Sequence, residues 1–257
     1  PETGPDSARY AERYFQLRQR RGVTLVEANK RLRQRNYHAT MMLECGEADG
    51  MVTGLTWSYG ESIRAPLEVI RTLPGKRTGG VYIVVLKNDF KLFADCTVNI
   101  DPSAEELAQI ASQTADLARY FDVTPRVAML SYSNFGNDDG ASPRKVREAT
   151  ELLRSKRPDL EVDGEMQVDP ALDAELRREE FPFCRLQDDA NVFIFPNLDA
   201  ANIAYKLVRR LGGAEVIGPV LLGMRKPVNV LQLGASVQEI VALAGVTALQ
   251  AQNGSGI

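Results

Sequence analysis

Apolar and polar positions alternate along the chain in two distinct rhythms. Short, nearly continuous apolar runs occur at DGMVTGL (49–55), VYIVVLK (81–87), KLFADCTVN (91–99), RVAMLSY (126–132), ANVFIFPN (190–197) and VIGPVLLG (216–223), with a weaker one at LEVDGEMQ (160–167). Several are too uniformly apolar for a half-wet strand, which predicts sheets covered on both faces. Between them lie segments of helical period. One covers roughly residues 24–45, and ELAQIASQTADLARYF (106–121) follows Asp101-Pro102-Ser103, which supplies a cap, a proline for the first turn and nearby acids. Ser142-Pro143 opens another helix that stops near Pro158, and Asp199 is placed to cap AANIAYKLVRRLGG. Strands alternating with helices predict an α/β fold with a mostly parallel sheet. PGKRTGG (74–80) is the best internal boundary. No internal repeat or low-complexity tract is present.

Composition narrows this picture. At 257 residues and 44% apolar, the chain can form one large α/β domain or two smaller lobes. The net charge of −3 gives no general field for nucleic acid or acidic membrane, although Arg18, Arg20 and Arg21 cluster, as do Lys30, Arg31, Arg33 and Arg35. Cys45, Cys96 and Cys184 are far apart and form no CxxC, which argues against a disulfide framework or a thiolate zinc site. With no signal peptide and no apolar run long enough to span a bilayer, the expectation is a soluble cytoplasmic protein. The first residue is not Met and Pro1-Glu2-Thr3-Gly4-Pro5 reads as a linker, so a fragment of a longer protein is expected; NGSGI reads as a tail.

The motifs exclude more than they assign. No GxGxxG follows a strand and no GxxxxGK[ST] occurs. The single histidine, His38, falls in a helical pattern and reads as a packing or surface residue, and Asp138-Asp139 reads as a solvated turn. What remains is a set of strand ends leading into polar loops: GLTWSYGESIR (54–64), SYSNFGNDDGAS (131–142), FPNLDAAN (195–202) and KPVNVLQLGASVQEIV (226–241). Their hydroxyls, amides, arginines and backbone N–H groups suit a phosphate, a pyrophosphate or a nucleotide, and ordinary caps and turns would use the same residues.

YFQLRQRRGVTLVEA (14–28), GEADGMVTG (46–54), SIRAPLEVIRTLPG (62–75), LFADCTVNIDPSAEELA (92–108), RVAMLSYSNFG (126–136), EVDGEMQVDPAL (161–172), ANVFIFPNLDAANIAYKLVRRLGG (190–213) and GPVLLGMRKPVNVL (218–231) together resemble the phosphate acetyltransferase family, in order and over nearly the whole chain. The resemblance implies two Rossmann-like lobes with a ligand cleft between them. Lobe I would hold residues 1–78 with 224–257 and lobe II residues 79–223, and the family's opening βα units are missing. Members move an acetyl group between coenzyme A and phosphate, which needs a base for the thiol and cations for phosphate and carbonyl oxygens. Active members read approximately N-D-L-S-R-G-C-S here, with an aspartate base shortly after. In this chain Asn229 remains, Val230 replaces the aspartate, Gln232 the serine and Leu233 the arginine, and Glu239 stands at the base position. Glu239 also has the spacing of a capping box with Ser236. Arg18 and Arg64 match retained family arginines.

These replacements, with NLDAANIAYKL and KPVNVL, resemble hybrid malic enzymes. That implies an inactive regulatory domain binding acetyl-CoA as an inhibitory effector, with NADP and a divalent metal confined to a preceding malic enzyme domain in the same chain. The expected partners are a second copy, as a homodimer within a higher oligomer, and no nucleic acid or membrane. Arg18, Arg64 and Lys226 would meet phosphate or carbonyl oxygens, and Ser58, Ser62, Ser131, Asn134 and Asn229 would give neutral hydrogen bonds. Two alternatives stand beside this reading. One is an active phosphate acetyltransferase using Glu239 as base and Arg64 as the phosphate cation. The other is an architectural oligomerisation domain with a vestigial pocket.

Overall fold

The computed structural model describes residues 6–87 and 89–252. In chain order its elements are α1 (Ser7–Arg18), α2 (Leu25–Leu32), α3 (Arg35–Glu44), β1 (Met51–Thr53), α4 (Tyr59–Val69), β2 (Gly79–Val85), β3 (Phe90–Ala94), α5 (Ala104–Tyr120) and β4 (Arg126–Leu130). They continue as α6 (Ala141–Lys156), β5 (Glu161–Met166), α7 (Val168–Leu172), α8 (Ala174–Glu180), β6 (Val192–Ile194), α9 (Leu198–Leu211), β7 (Glu215–Leu222), β8 (Val228–Val230) and α10 (Val237–Gln252). The fold is α/β with mostly parallel strand pairs. Two compact units divide it: residues 1–75 with 224–256, and residues 76–223. Pro1–Pro5 and the NGSGI tail lie outside the described residues.

In the second unit one six-stranded sheet runs β5-β4-β6-β3-β2-β7. β4 pairs in parallel with β5 and β6, and β3 with β6, whereas β2 is antiparallel to both β3 and β7. The antiparallel edge follows from a tight turn, closed by Leu86 N–H donating to Asp89 O at 2.7 Å, which is too short for a parallel crossover. α5 buries Leu107, Ile110, Ala111 and Leu117, and α6 buries Val146, Ala149 and Leu153. Each large aliphatic chain removed from water there contributes about 1.5–3 kcal/mol. Tyr82 on β2 stacks on Tyr205 of α9 with ring centroids 4.1 Å apart. Asp95, buried after β3, accepts the N–H groups of Gly80, Thr97, Val98 and Asn99 and so folds the chain against β2. A Cβ on Gly80 would lie 1.8 Å from Thr97 Oγ1, so only glycine permits this approach.

The first unit has little sheet. β1 and β8 form a parallel pair, with Val52 opposite Asn229. Around it α1 to α4 pack on Tyr10, Tyr14, Ala28, Leu32, Met41, Leu43, Val69 and Ile70, all buried. The polar centre of this helical layer is Glu68. Its Oε2 accepts from Tyr14 Oη at 2.7 Å, Tyr37 Oη at 2.9 Å and Arg31 Nη1 at 2.8 Å. Burial alone would raise the Glu68 pKa, but the two phenols, Arg31 and the field of Arg18 outweigh it and hold the carboxyl below its ordinary value.

Three local expectations change. The helix over 24–45 is two helices, because Gln34 turns extended (ψ 126°) between α2 and α3. Tertiary contacts on both sides hold the break: Arg31 is fixed by Glu68, and Asn36 Nδ2 donates to Ser62 O at 2.7 Å. The cap of α9 is Asn197, whose side chain accepts from Ala200 N–H, while Asp199 sits in the first turn. Pro102 precedes the cap of α5, which is Ser103 in a capping box with Glu106.

Candidate functional site

The sequence around β1 dictates a sharp exit. Gly54 has φ 114°, and a Cβ there would sit 2.3 Å from the carbonyl oxygen of Leu231, the residue whose N–H donates to Thr53 O at 2.7 Å. The chain then turns through Leu55 (φ 71°) and exposes Thr56 and Trp57 before Ser58 caps α4. Ser58 and Glu61 form a reciprocal capping box, and the bonds from Ser58 hold the Glu61 carboxyl below its ordinary pKa. Asn36 locks this loop from the other side. Its amide N–H reaches Ser62 O, and its Oδ1 accepts from Thr53 Oγ1 at 3.1 Å. Between them lies a cavity of about 200 Å³ lined by Arg35, Asn36, Thr53, Gly54, Thr56, Trp57 and Ser62. No carboxylate lines it. Ser62 is only 2% exposed.

β8 leads into the second loop of this unit. Asn229 is fully buried and donates to Thr247 Oγ1 and Gln250 Oε1, both at 2.8 Å, so it ties β8 to α10. The chain turns at Gly234 (φ 77°), leaves Leu233 64% exposed and enters α10. Ser236 N–H donates to Glu239 Oε2 at 2.6 Å, and Glu239 N–H donates to Ser236 Oγ at 3.2 Å. The capping box read in the sequence is therefore formed.

The remaining expected contacts are dispersed. The Lys226 ammonium donates to Leu43 O at 2.6 Å, so here it closes the C-terminus of α3 and does not line the cavity. Arg18 ends α1 near Glu68, with its Nε buried and without a hydrogen-bond partner among the described residues. Arg64 is on the exposed side of α4. Ser131 and Asn134 belong to the other unit. Ser131 N–H donates to Met166 O, Ser131 Oγ accepts from Ser133 N–H, and Asn134 exchanges bonds with Gln167. Of the expected ligands only Ser62 lines the cavity. Arg35, Asn36, Thr53, Thr56 and Trp57 were missed as site residues. An asparagine inside a supposed continuous helix was the one available signal, since its side chain competes with helix geometry. His38 packs edge-on against Tyr10 at 5.1 Å, and Asp138 accepts from Gly140 N–H and Tyr132 Oη within a turn.

The family model for phosphate acetyl/butaryl transferase matches residues 1–248. The chain belongs to this family. It is 43% identical over 251 residues to a phosphate acetyltransferase of Synechocystis, covering 97% of this chain and 36% of that protein. It is 40% identical over 262 residues to the phosphate acetyltransferase of Clostridium acetobutylicum, covering 99% of this chain and 79% of that protein. The chain thus spans about a third of the length of the first relative and most of the second. A solved phosphotransacetylase from Streptococcus pyogenes superimposes with a TM-score of 0.93 at 42% identity, covering 98% of this chain and 78% of that one.

These matches overturn the expectation of an inactive regulatory domain fused to a malic enzyme. The relatives that align with nearly all of this chain are named phosphate acetyltransferases, and in the Clostridium protein the aligned region is most of the polypeptide. The regulatory role and the attached malic enzyme domain lose their basis together. The replacements at Gln232 and Leu233 are differences within a transferase family. They do not mark a different protein class.

Proposed function

We propose that this chain catalyses acetyl transfer between coenzyme A and phosphate. The observation that carries this reading is the 40–43% identity to named phosphate acetyltransferases over 97–99% of the chain. In the direction of thioester synthesis, the thiol sulfur bonds to the carbonyl carbon of acetyl phosphate, the carbon–oxygen bond to phosphate breaks, and phosphate leaves. The thiol proton goes to a base. Glu239 is the carboxylate at the family's base position, and its capping box fixes it at the start of α10. An ionised carboxylate has about four acceptor sites, so a cap bond leaves capacity for a thiol proton. The amide of Gln232 supplies a neutral donor. Leu233 supplies no charge, so stabilisation of the leaving phosphate falls to other cations, with Arg64 on exposed α4 the family-matched one.

Thioester formation from acetyl phosphate and coenzyme A, followed by absorbance, tests this directly. Glu239→Gln is the informative variant, because glutamine keeps a capping box and cannot act as the base. The expected result is turnover by the wild type and a loss of about a hundredfold or more in Glu239→Gln with an unchanged melting temperature. A folded wild-type chain that forms no thioester overturns the reading.

A further inference from the structure

Seven basic residues and one acid fall between residues 18 and 35, in a chain whose net charge is −3. The acid, Glu27, is bonded to Arg31, and Arg31 also reaches Glu68. Arg20, Arg21, Lys30 and Arg33 are exposed, and their side chains make no ion pair or hydrogen bond among the described residues. By contrast Arg9 pairs with Glu47, and Arg13 and Arg225 both pair with Glu44. The fold gains nothing from the four unpaired cations. Lys30 and Arg33 are three residues apart on α2, where like charges repel. Arg20 and Arg21 precede the Thr24 cap of α2, at the helix end that disfavours cations.

An apolar tip stands within this positive field. The turn Gln19–Arg21 ends at Gly22 (φ 81°), and Val23 is buried before α2 begins. Ala28 and Leu32 turn inward, which leaves Leu25, Val26, Lys30 and Arg33 on the outward face. Leu25 is 44% and Val26 81% exposed. Val26 and Lys30 lie about one helical turn apart, and Arg33 follows on the next turn. Arg21 and Leu25 are four positions apart, so their Cα atoms lie within about 14 Å of each other. Two aliphatic side chains thus sit between two pairs of unpaired cations.

We propose that this surface, built from the Gln19–Arg21 turn and the outward face of α2, docks an acidic protein segment that carries aliphatic side chains. Leu25 and Val26 form the apolar centre of the contact, and Arg20, Arg21, Lys30 and Arg33 form its charged rim. Nucleic acid fits less well. None of these six residues has an aromatic ring on which a base could stack, and the chain as a whole is negatively charged. A bilayer surface also fits less well, because two aliphatic chains on an eight-residue helix bury little area in lipid. An acidic segment matches both the charge and the aliphatic centre. This docking does not depend on acyl transfer.

Fluorescence anisotropy of a labelled synthetic peptide, rich in glutamate with two leucines at its centre, measures the docking on the whole chain. Parallel titrations use the same peptide with serines for the leucines, a polyuridine RNA, phosphatidylserine vesicles, and excess coenzyme A as competitor. Two double variants, Arg20→Gln with Arg21→Gln and Lys30→Gln with Arg33→Gln, are made separately, so that either one, if folded in urea melts, decides the matter. Val26→Ser tests the apolar centre, and Arg178→Gln, at an exposed arginine of the other unit, is the charge control. The expected results are saturable binding by the wild type that weakens as salt rises, about tenfold weaker binding in each double variant, about threefold in Val26→Ser and with the serine peptide, and no change in Arg178→Gln. Coenzyme A leaves the peptide bound. Absence of saturable binding in the wild type overturns the proposal. So do double variants that bind like the wild type, an equal loss in Arg178→Gln, tighter binding of the RNA or the vesicles than of the peptide, or displacement by coenzyme A, which would mark a nucleotide site.

Discussion

Two loops in this molecule leave a strand end and enter a helix, and they treat their polar groups in opposite ways. Between β4 and α6, in residues 131–140, the loop closes on a single buried carboxylate. Glu165 accepts from Gly136 N–H at 2.8 Å, Ser133 Oγ at 3.3 Å, and Arg147 Nε and Nη2 at 2.9 and 3.0 Å. Tyr132, Asp138 and Gly140 complete the turn among themselves. Between β1 and α4 the backbone is equally well fixed, by Gly54, Asn36 and the Ser58–Glu61 box, but Arg35, Thr56 and Ser62 face a cavity. The first loop has its hydrogen-bonding capacity satisfied internally and serves the fold. The second is fixed by some polar groups while others line the cavity. The hydroxyls and glycines do not separate them, since both loops carry them.

The sharpest way to break this contrast is Glu165→Ala. It removes the shared acceptor of Arg147, Ser133 and the Gly136 N–H, and about 1–3 kcal/mol of stability should be lost in denaturant melts. A loss below about 1 kcal/mol would mean that the loop is not held by this carboxylate. Changes in the loops around β1 and β8 should act on chemistry more than on stability. Gln232→Ser combined with Leu233→Arg should raise kcat/KM for thioester formation by about a hundredfold, the size of one transition-state donor, and shift stability by no more than about 0.5 kcal/mol. No rise in rate would show that this chain has moved its charge stabilisation elsewhere.

The pH dependence of stability sharpens the same comparison. Arg147 and the Gly136 N–H outweigh burial and hold the Glu165 carboxyl below its ordinary pKa, as the phenols and Arg31 do for Glu68. The unfolded chain therefore binds more protons in the carboxylate range. The stabilisation is complete above the unfolded value of about 4.3 and is lost as pH falls through it toward the folded values. Glu68→Gln should flatten this acid limb in urea melts at pH 3–6, and an unchanged slope would remove Glu68 from the explanation. The smallest effect belongs to the exposed Thr56. Thr56→Ala should change stability in urea melts by no more than about 0.5 kcal/mol, and a larger loss would show that this hydroxyl serves the fold.

Much of this architecture is written locally. All seven apolar runs became strands, because an unbroken apolar stretch bounded by glycine and polar turns has few other ways to bury itself. The capping box at Ser236–Glu239 was legible because three-residue spacing alone decides it, whereas Pro102 was read into the first turn of α5 and lies before its Ser103 cap. The site was less legible. Ser62, read from its loop, lines the cavity beside β1. Lys226 and Asn229 looked like equally good ligands until the structure placed one on the α3 carbonyls and the other inside the β8–α10 contact.

The sequence by itself determined the α/β class, seven of the eight strands among the described residues, the Ser236–Glu239 cap and the family, since each depends on periodicity, on spacing within a turn, or on residues read in order. Only the tertiary structure decided that β2 runs antiparallel at its end of the sheet, that α2 and α3 separate at Gln34, and that Arg35 meets Ser62 across a cavity. The physical reason is distance along the chain. Whether a hydroxyl or a guanidinium is engaged or left open depends on partners tens of residues away, and no local pattern records where those partners come to rest.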